Sequence, residues 1–187
     1  MNSFLLRFID IVAAFVGLLI GFPILALLCI LGFLDTGSPI FIQERVGKNK
    51  KPFKLLKFRT MSLNTESVAT HLVEVDSVTK FGSFLRKTKL DELPQLLNVL
   101  KGEMSFVGPR PCLYNQGVLI GERDRLGVFD VRPGITGLAQ VNEIDMSTPE
   151  LLAIWDARMI RQFTVAVYFR LICKTVTGSG SGDRIRE

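Results

Sequence analysis

The sequence predicts an α+β fold, mostly helical, in which an N-terminal re-entrant membrane helix-break-helix carries a cytosolic domain lying on the membrane interface. Three observations point there. No residue from Ile11 to Leu34 is charged, and Pro23 sits near the middle of that run. Two short β-prone runs follow, separated by a Gly/Lys/Asn/Pro cluster. The rest of the chain alternates helical apolar spacing with Gly- and Pro-rich punctuation. With 187 residues, one domain of ordinary size suffices.

The apolar run comes first. It is long enough for a helix to cross a hydrocarbon core of about 30 Å. It is too long for the apolar region of a secretory signal, and Phe33-Leu34-Asp35 is not a small-residue cleavage site. Pro23 follows Gly21-Phe22; a proline here removes a backbone hydrogen bond and kinks or breaks the helix. Each arm is then roughly 18 Å long, too short to cross alone. Arg7 lies before the run, and Arg45, Lys48, Lys50, Lys51, Lys54, Lys57 and Arg59 lie after it. Cations on both sides favour a cytoplasmic position for both ends, which re-entry satisfies. A kinked span and a buried core helix are the other readings; core helices are usually shorter.

Asp35-Thr36-Gly37-Ser38-Pro39 forms a turn cluster that ends the run. Pro39–Val46 and Phe53–Met61 then read as a β-hairpin. Ser62–Val78 is polar and reads as a loop. Phe81, Phe84 and Leu85 at helical spacing beside Lys80, Arg86, Lys87 and Lys89 make a basic amphipathic stretch, fit either for a lipid headgroup surface or for a core. A stronger helix is predicted from Asp91 toward Lys101, with Leu93, Leu96, Leu97 and Leu100 on one face. Asp91 suits its N-cap, Pro94 its first turn and Gly102 its C-terminal stop. Ser105–Pro111 and Arg132–Gln140 are rich in Gly and Pro, and Thr148–Val176 is largely helical by pattern. The expected division is residues 1–36 as the membrane segment, 37–177 as the globular domain and 178–187 as a Gly/Ser tail of flexible composition.

Composition narrows the function less. A net charge of +5 and a pI near 9.3 suit nucleic acid, an anionic membrane surface or phosphate-bearing substrates alike. Cys29, Cys112 and Cys173 show no CxxC spacing, and His71, the sole histidine, has no partner at ligand spacing. No GxSxG elbow, Walker A loop or GxGxxG turn occurs.

The adjacent carboxylates Asp91 and Glu92 remain. At a helix start an aspartate stays ionised, and the same orphan N–H groups attract phosphate. A nucleophilic carboxylate beside a Mg²⁺-binding one suits transfer chemistry on a diphosphate. On its own the pair is more often a cap. Its context is Lys57, Arg59, Arg86, Arg110 and Arg132, cations in or beside turn-forming segments, where phosphate clamps are commonly built. In Gly108-Pro109-Arg110-Pro111 two prolines fix the backbone around an arginine, and the glycines of Arg132-Pro133-Gly134-Ile135-Thr136-Gly137 allow a ligand close approach. Structural turns are the plainer alternative.

Four segments in order carry a resemblance: Lys57-Phe58-Arg59-Thr60-Met61, Leu90-Asp91-Glu92-Leu93-Pro94-Gln95-Leu96, Met104-Ser105-Phe106-Val107-Gly108-Pro109-Arg110-Pro111 and Val131-Arg132-Pro133-Gly134-Ile135-Thr136-Gly137. Together they resemble the bacterial sugar transferases, monotopic polyprenyl-phosphate phosphoglycosyl transferases. The resemblance implies a re-entrant helix in the cytoplasmic leaflet of the bacterial inner membrane. It implies Asp91 as nucleophile toward a UDP-sugar, with Mg²⁺ held by Glu92 and Asp91. UMP is released, and a phosphosugar-aspartyl intermediate is passed to polyprenyl (undecaprenyl) phosphate in a ping-pong scheme. Lys57, Arg59, Arg86, Arg110 and Pro111 would contact phosphates, and Arg132, Gly134 and Gly137 would shape the nucleotide site. Family members of this compact size often use UDP-linked N-acetylated amino sugars. The expected partners are UDP-sugar, polyprenyl phosphate and membrane phospholipids, with no nucleic acid; a homo-oligomer is left open. The sequence departs from the family pattern at Phe22-Pro23, where many relatives have Ser-Pro, and after Asp156, where aromatic residues are usual and Ala157-Arg158-Met159 stand instead. A membrane-anchored scaffold or nucleic-acid-binding protein with a basic face, and a degenerate, inactive relative, are the competing readings. The absence of a nucleic-acid motif weighs against the first and the intact Asp91-Glu92 pair against the second.

Overall fold

The computed structural model describes residues 4–63, 65 and 77–178. It is mostly helical with two small sheets, as the sequence predicts. The first element, α1, is one helix over Phe4–Thr36, roughly 50 Å long. It is long and apolar enough to cross a membrane. It runs on through Pro23, so the break expected there is not an interruption of the helix. A proline removes one rung of the ladder and leaves the others available. Only Leu6, Asp10, Ala14, Leu28 and Gly32 of α1 are buried, whereas Leu19, Ile20, Phe22 and Leu34 are largely exposed. So many exposed large apolar side chains on one helix make a surface compatible with membrane anchoring.

The buried residues trace a single stripe that touches the domain along its length. Leu6 joins a cluster with Val107, Met159, Tyr168 and Leu171. Ala14 joins Phe53, Leu55, Leu96, Val99 and Met104. Leu28 joins Phe58 and Leu85, and Gly32 lies against Pro39. The polar exception, Asp10, is buried with purpose: its Oδ1 accepts from Ser105 Oγ at 3.1 Å, Phe106 N at 3.1 Å and Tyr168 Oη at 2.7 Å.

Strands β1 (Ile40–Val46) and β2 (Pro52–Phe58) form the expected antiparallel hairpin, paired from Ile40 with Phe58 to Val46 with Pro52. Helix α2 spans Lys80–Thr88, capped by the Thr79 hydroxyl. The intervening loop falls mostly outside the described residues, as do His71 and all of the Gly/Ser tail but Gly178.

The helix predicted from Asp91 begins later. A 3₁₀ turn covers Leu90–Glu92, and α3 covers Gln95–Lys101. Lys89 ends α2 in the left-handed conformation (φ 58°) and turns the chain. Asp91 therefore sits inside a tight turn, not at an N-cap. Gly102 stops α3 with φ 88°, as predicted. The buried Asn98 fixes α3 to β2, donating to Lys54 O and accepting from Leu56 N.

The two Gly/Pro segments contribute β3 (Ser105–Val107) and β4 (Gly134–Thr136), which pair in parallel. Helix α4 (Gly117–Arg125) lies between them in sequence, and α5 (Leu138–Val141), α6 (Pro149–Arg161) and α7 (Val165–Val176) complete the chain. α4 packs on α6 around Leu119, Leu152 and Ala153.

Candidate active site

The site is built on the turn between α2 and α3. Asp91 is 4% exposed, and Glu92 beside it forms an ion pair with Arg110, Oε1 to Nη2 at 3.0 Å. The turn is braced from behind, because the Lys89 ammonium donates to Thr175 O at the end of α7. The same threonine's hydroxyl lies 2.6 Å from that of Thr136 on β4. The end of α7 thus ties the carboxylate turn to the second sheet.

Arg110 is presented by a loop whose main chain is held at four successive carbonyls. Pro109 O accepts from Gly134 N at 2.9 Å, and Arg110 O from Arg123 Nη1 at 2.8 Å. Pro111 O accepts from Arg45 Nη1 at 3.0 Å, and Cys112 O from Val46 N at 2.9 Å. Prolines at 109 and 111 fix φ and remove two donors. Glycine is required where the sheet meets this loop. A Cβ on Gly134 would stand 2.0 Å from Gly108 N, and one on Gly137 would stand 2.5 Å from Gly108 O.

The other predicted contacts are placed as follows. Lys57, 8% exposed, and Arg59 flank the Phe41 ring at 5.5 and 5.3 Å. Arg59 also donates to Ser38 O, tying β2 to the turn after α1. Arg86 donates from Nε to Thr60 Oγ1 at 2.9 Å. Arg132 donates to Gly102 O at the end of α3 opposite Asp91, so its guanidinium caps that helix. The structure therefore brings together Glu92, Arg110, Pro111, Gly134 and Gly137 around one loop, with Asp91 adjacent in the turn.

The carboxylate pair suits a magnesium ion. Mg²⁺ is usually held by one or two carboxylates plus substrate phosphates, not by a full protein cage. Among the described residues no group of three or more His, Cys, Asp and Glu side chains is assembled for a metal. Asp91 and Glu92, the latter paired with Arg110, are the adjacent carboxylates that could contribute to a site of that substrate-completed kind.

Sequence reasoning missed Arg123 and left Asp156 without a role. Both are about 1% exposed, and Asp156 Oδ2 accepts from Arg123 Nε at 3.0 Å and Nη2 at 2.7 Å. Burial pushes the Asp156 carboxyl above its ordinary range, and Arg123 offsets only part of that rise. The available signal was periodicity. Asp156 falls on the stripe of Leu152 and Ala153, and Arg123 stands four residues after Leu119, so each charge sits on an apolar face.

A family model described as bacterial sugar transferase matches residues 1–180. The chain is 39% identical over 189 residues to the UDP-glucose:undecaprenyl-phosphate glucose-1-phosphate transferase of Escherichia coli K12, covering 94% of this chain and 40% of the relative. It is 34% identical over 194 residues to the UDP-N-acetylgalactosamine-undecaprenyl-phosphate N-acetylgalactosaminephosphotransferase of Aeromonas hydrophila, covering 96% and 45%. It is 35% identical over 193 residues to the exopolysaccharide production protein ExoY of Rhizobium meliloti, covering 91% and 83%. The chain spans about two-fifths of the length of several of the curated relatives it matches.

Proposed function

The chain belongs to the bacterial sugar transferase family, and we propose that it transfers a sugar phosphate from a UDP-sugar to undecaprenyl phosphate through a covalent intermediate on Asp91. The observation that carries this reading is the buried Asp91 in a tight turn beside Glu92, itself 3.0 Å from an arginine on a fully pinned loop. The names of two relatives, which cite a UDP-sugar and undecaprenyl phosphate, support the substrate classes.

In the proposed first half-reaction, an Asp91 carboxylate oxygen attacks the β-phosphorus of the UDP-sugar. The bond from that phosphorus to the bridging oxygen breaks, and UMP leaves with the oxygen. In the second, a phosphate oxygen of undecaprenyl phosphate attacks the same phosphorus and Asp91 departs as carboxylate, giving the undecaprenyl diphosphate-sugar. Burial of Asp91 strips water from the nucleophile and holds it in one geometry. Arg110 is placed to exchange Glu92 for a phosphate oxygen of the donor, as a planar fork suited to that partner. Glu92 and Asp91 would hold Mg²⁺, which when bound neutralises diphosphate charge.

The membrane supplies the second substrate. α1 is backed by the domain near Leu6 and again at Gly32. A domain touching both ends of the helix sits on one side of the bilayer. That supports a re-entrant seating of α1 in the cytoplasmic leaflet, bent at Pro23, with the domain on the inner face. Exposed Phe84 on α2 and Val165 and Phe169 on α7 would add interfacial contact.

The test is UMP release in detergent with Mg²⁺, undecaprenyl phosphate and a panel of UDP-sugars, including N-acetylated amino sugars, glucose and galactose. The wild type is expected to release UMP from at least one donor and to retain label from a sugar-labelled donor when acceptor is withheld. Asp91→Asn is expected to lose both. Full UMP release by Asp91→Asn would refute the covalent reading.

A further inference from the structure

We infer that Arg123, clamped by Asp156, is a positioning residue that sets the main chain of Arg110 and thereby the reach of its guanidinium. The inference rests on the reading of Arg110 as a phosphate contact.

The geometry separates two jobs of one side chain. Nε and Nη2 of Arg123 go to Asp156 Oδ2, which joins α4 to α6. Nη1 goes instead to a loop carbonyl, that of Arg110. Holding two helices together does not require this third bond. It does not require charge either, because Leu119, Leu152 and Ala153 already pack the same interface. A fully buried ion pair is a poor source of net stability, and well-packed apolar residues of similar volume often serve as well or better. What the apolar alternative cannot supply is a donor aimed at Arg110 O.

That donor acts on the loop residue whose side chain pairs with Glu92 in the carboxylate turn. Pro109 and Pro111 fix the loop on either side. The carbonyls flanking Arg110 O are held by Gly134 N and Arg45 Nη1. With Arg123 in place, the Arg110 peptide plane is held from both sides, leaving side-chain torsions alone to carry Nη2 to Glu92. Without Arg123, the half-buried Arg110 carbonyl loses its charged donor, and the backbone torsion of Arg110 is no longer held from that side. The tie can be cut from α4 or α6 without altering a residue of the loop, and this makes the inference testable.

The experiment measures kcat/KM for UMP release, in the full chain with Mg²⁺, together with the thermal midpoint. Arg123→Lys and Asp156→Asn are each made with Arg110 intact and with Arg110→Ala. A third variant, Arg123→Met with Asp156→Leu, fills the space without charge. Coupling predicts that each change lowers kcat/KM by about 10- to 100-fold when Arg110 is intact and adds little when Arg110 is already alanine. The shift in thermal midpoint should be the same in both backgrounds. The Met/Leu variant should fold, its apolar packing offsetting the lost ion pair, and still lose activity. Losses that multiply across the two backgrounds overturn the proposal, as does a stable Met/Leu variant with wild-type kcat/KM. Wild-type kcat/KM in Arg110→Ala alone overturns the underlying reading of Arg110, and the proposal with it.

Discussion

Gly134→Ala tests how closely the second sheet governs the candidate site. A Cβ at this position would stand 2.0 Å from Gly108 N, 2.6 Å from Gly108 Cα and 2.7 Å from Thr136 O. All three neighbours are main-chain atoms, so no rotamer change relieves the contact. Non-bonded heavy atoms settle near 3.5 Å, so β3 and β4 must part by about 1 Å or more. Parting them stretches Gly108 N to Thr136 O, now 2.8 Å, and Gly134 N to Pro109 O, now 2.9 Å. The second bond holds the residue immediately before Arg110. Overpacking of this kind typically costs about 1–3 kcal/mol of stability, and a 1 Å displacement of a positioning group can cost about 100-fold in rate. The expected result is a folded enzyme with a lowered thermal midpoint and about 100-fold less kcat/KM for UMP release. Gly121→Ala on α4, where nothing lies within 4 Å of the added carbon, is the control. It should keep wild-type activity and gain up to about 1 kcal/mol from helix propensity. A folded Gly134→Ala enzyme within about threefold of wild type would show that the sheet does not set the loop.

Two further outcomes concern the contact between α1 and the domain. Asp10→Ala leaves Phe106 N–H and the Tyr168 hydroxyl buried without their acceptor, and at about 1–3 kcal/mol for each orphaned group the expected loss is about 2–6 kcal/mol. Asp10→Asn keeps an acceptor oxygen and should lose less; thermal unfolding in micelles checks both, and equal midpoints for Asp10→Ala and wild type would contradict the assignment. Burial, and then Asp10, push the Tyr168 phenol well above its ordinary range. The native state therefore keeps a proton that the unfolded chain releases near pH 10, so this contribution to stability is full below about pH 10 and is lost as pH rises further. The wild-type midpoint should fall more steeply above about pH 10 than that of Tyr168→Phe, measured by the same unfolding assay.

Elements with a strong repeating pattern were legible in the sequence. The apolar run became α1, the hairpin formed within two residues of its expected strand starts, and Gly102 ended α3. The parallel pair of β3 and β4 was not legible, since three-residue strands contain too little alternation to reveal a face. Asp91 was expected to cap a helix because Leu93, Leu96 and Leu100 continue one helical stripe. The left-handed Lys89 and the position of Pro94, which cannot donate a backbone hydrogen bond, instead make a separate turn and delay α3 to Gln95. The site carboxylates and Arg110 were readable as residue types in Gly/Pro surroundings. The buried support behind them, Arg123 with Asp156 and Arg45 at Pro111 O, depends on contacts between distant elements.

The stripe along α1 also bears on how the molecule is made. Asp10 and Tyr168 are 158 positions apart in the chain, yet their side chains meet. The cluster around Leu6 needs Val107, Met159 and Leu171, so it cannot close until nearly the whole domain has been synthesised. Among the described helices, α1 is thus docked by α7, which is made more than a hundred residues later. During synthesis a lipid leaflet is the environment that can shelter the exposed apolar flank of α1, while the buried stripe waits for its partners. On the proposed seating, the bilayer would act as a template on which the domain is assembled.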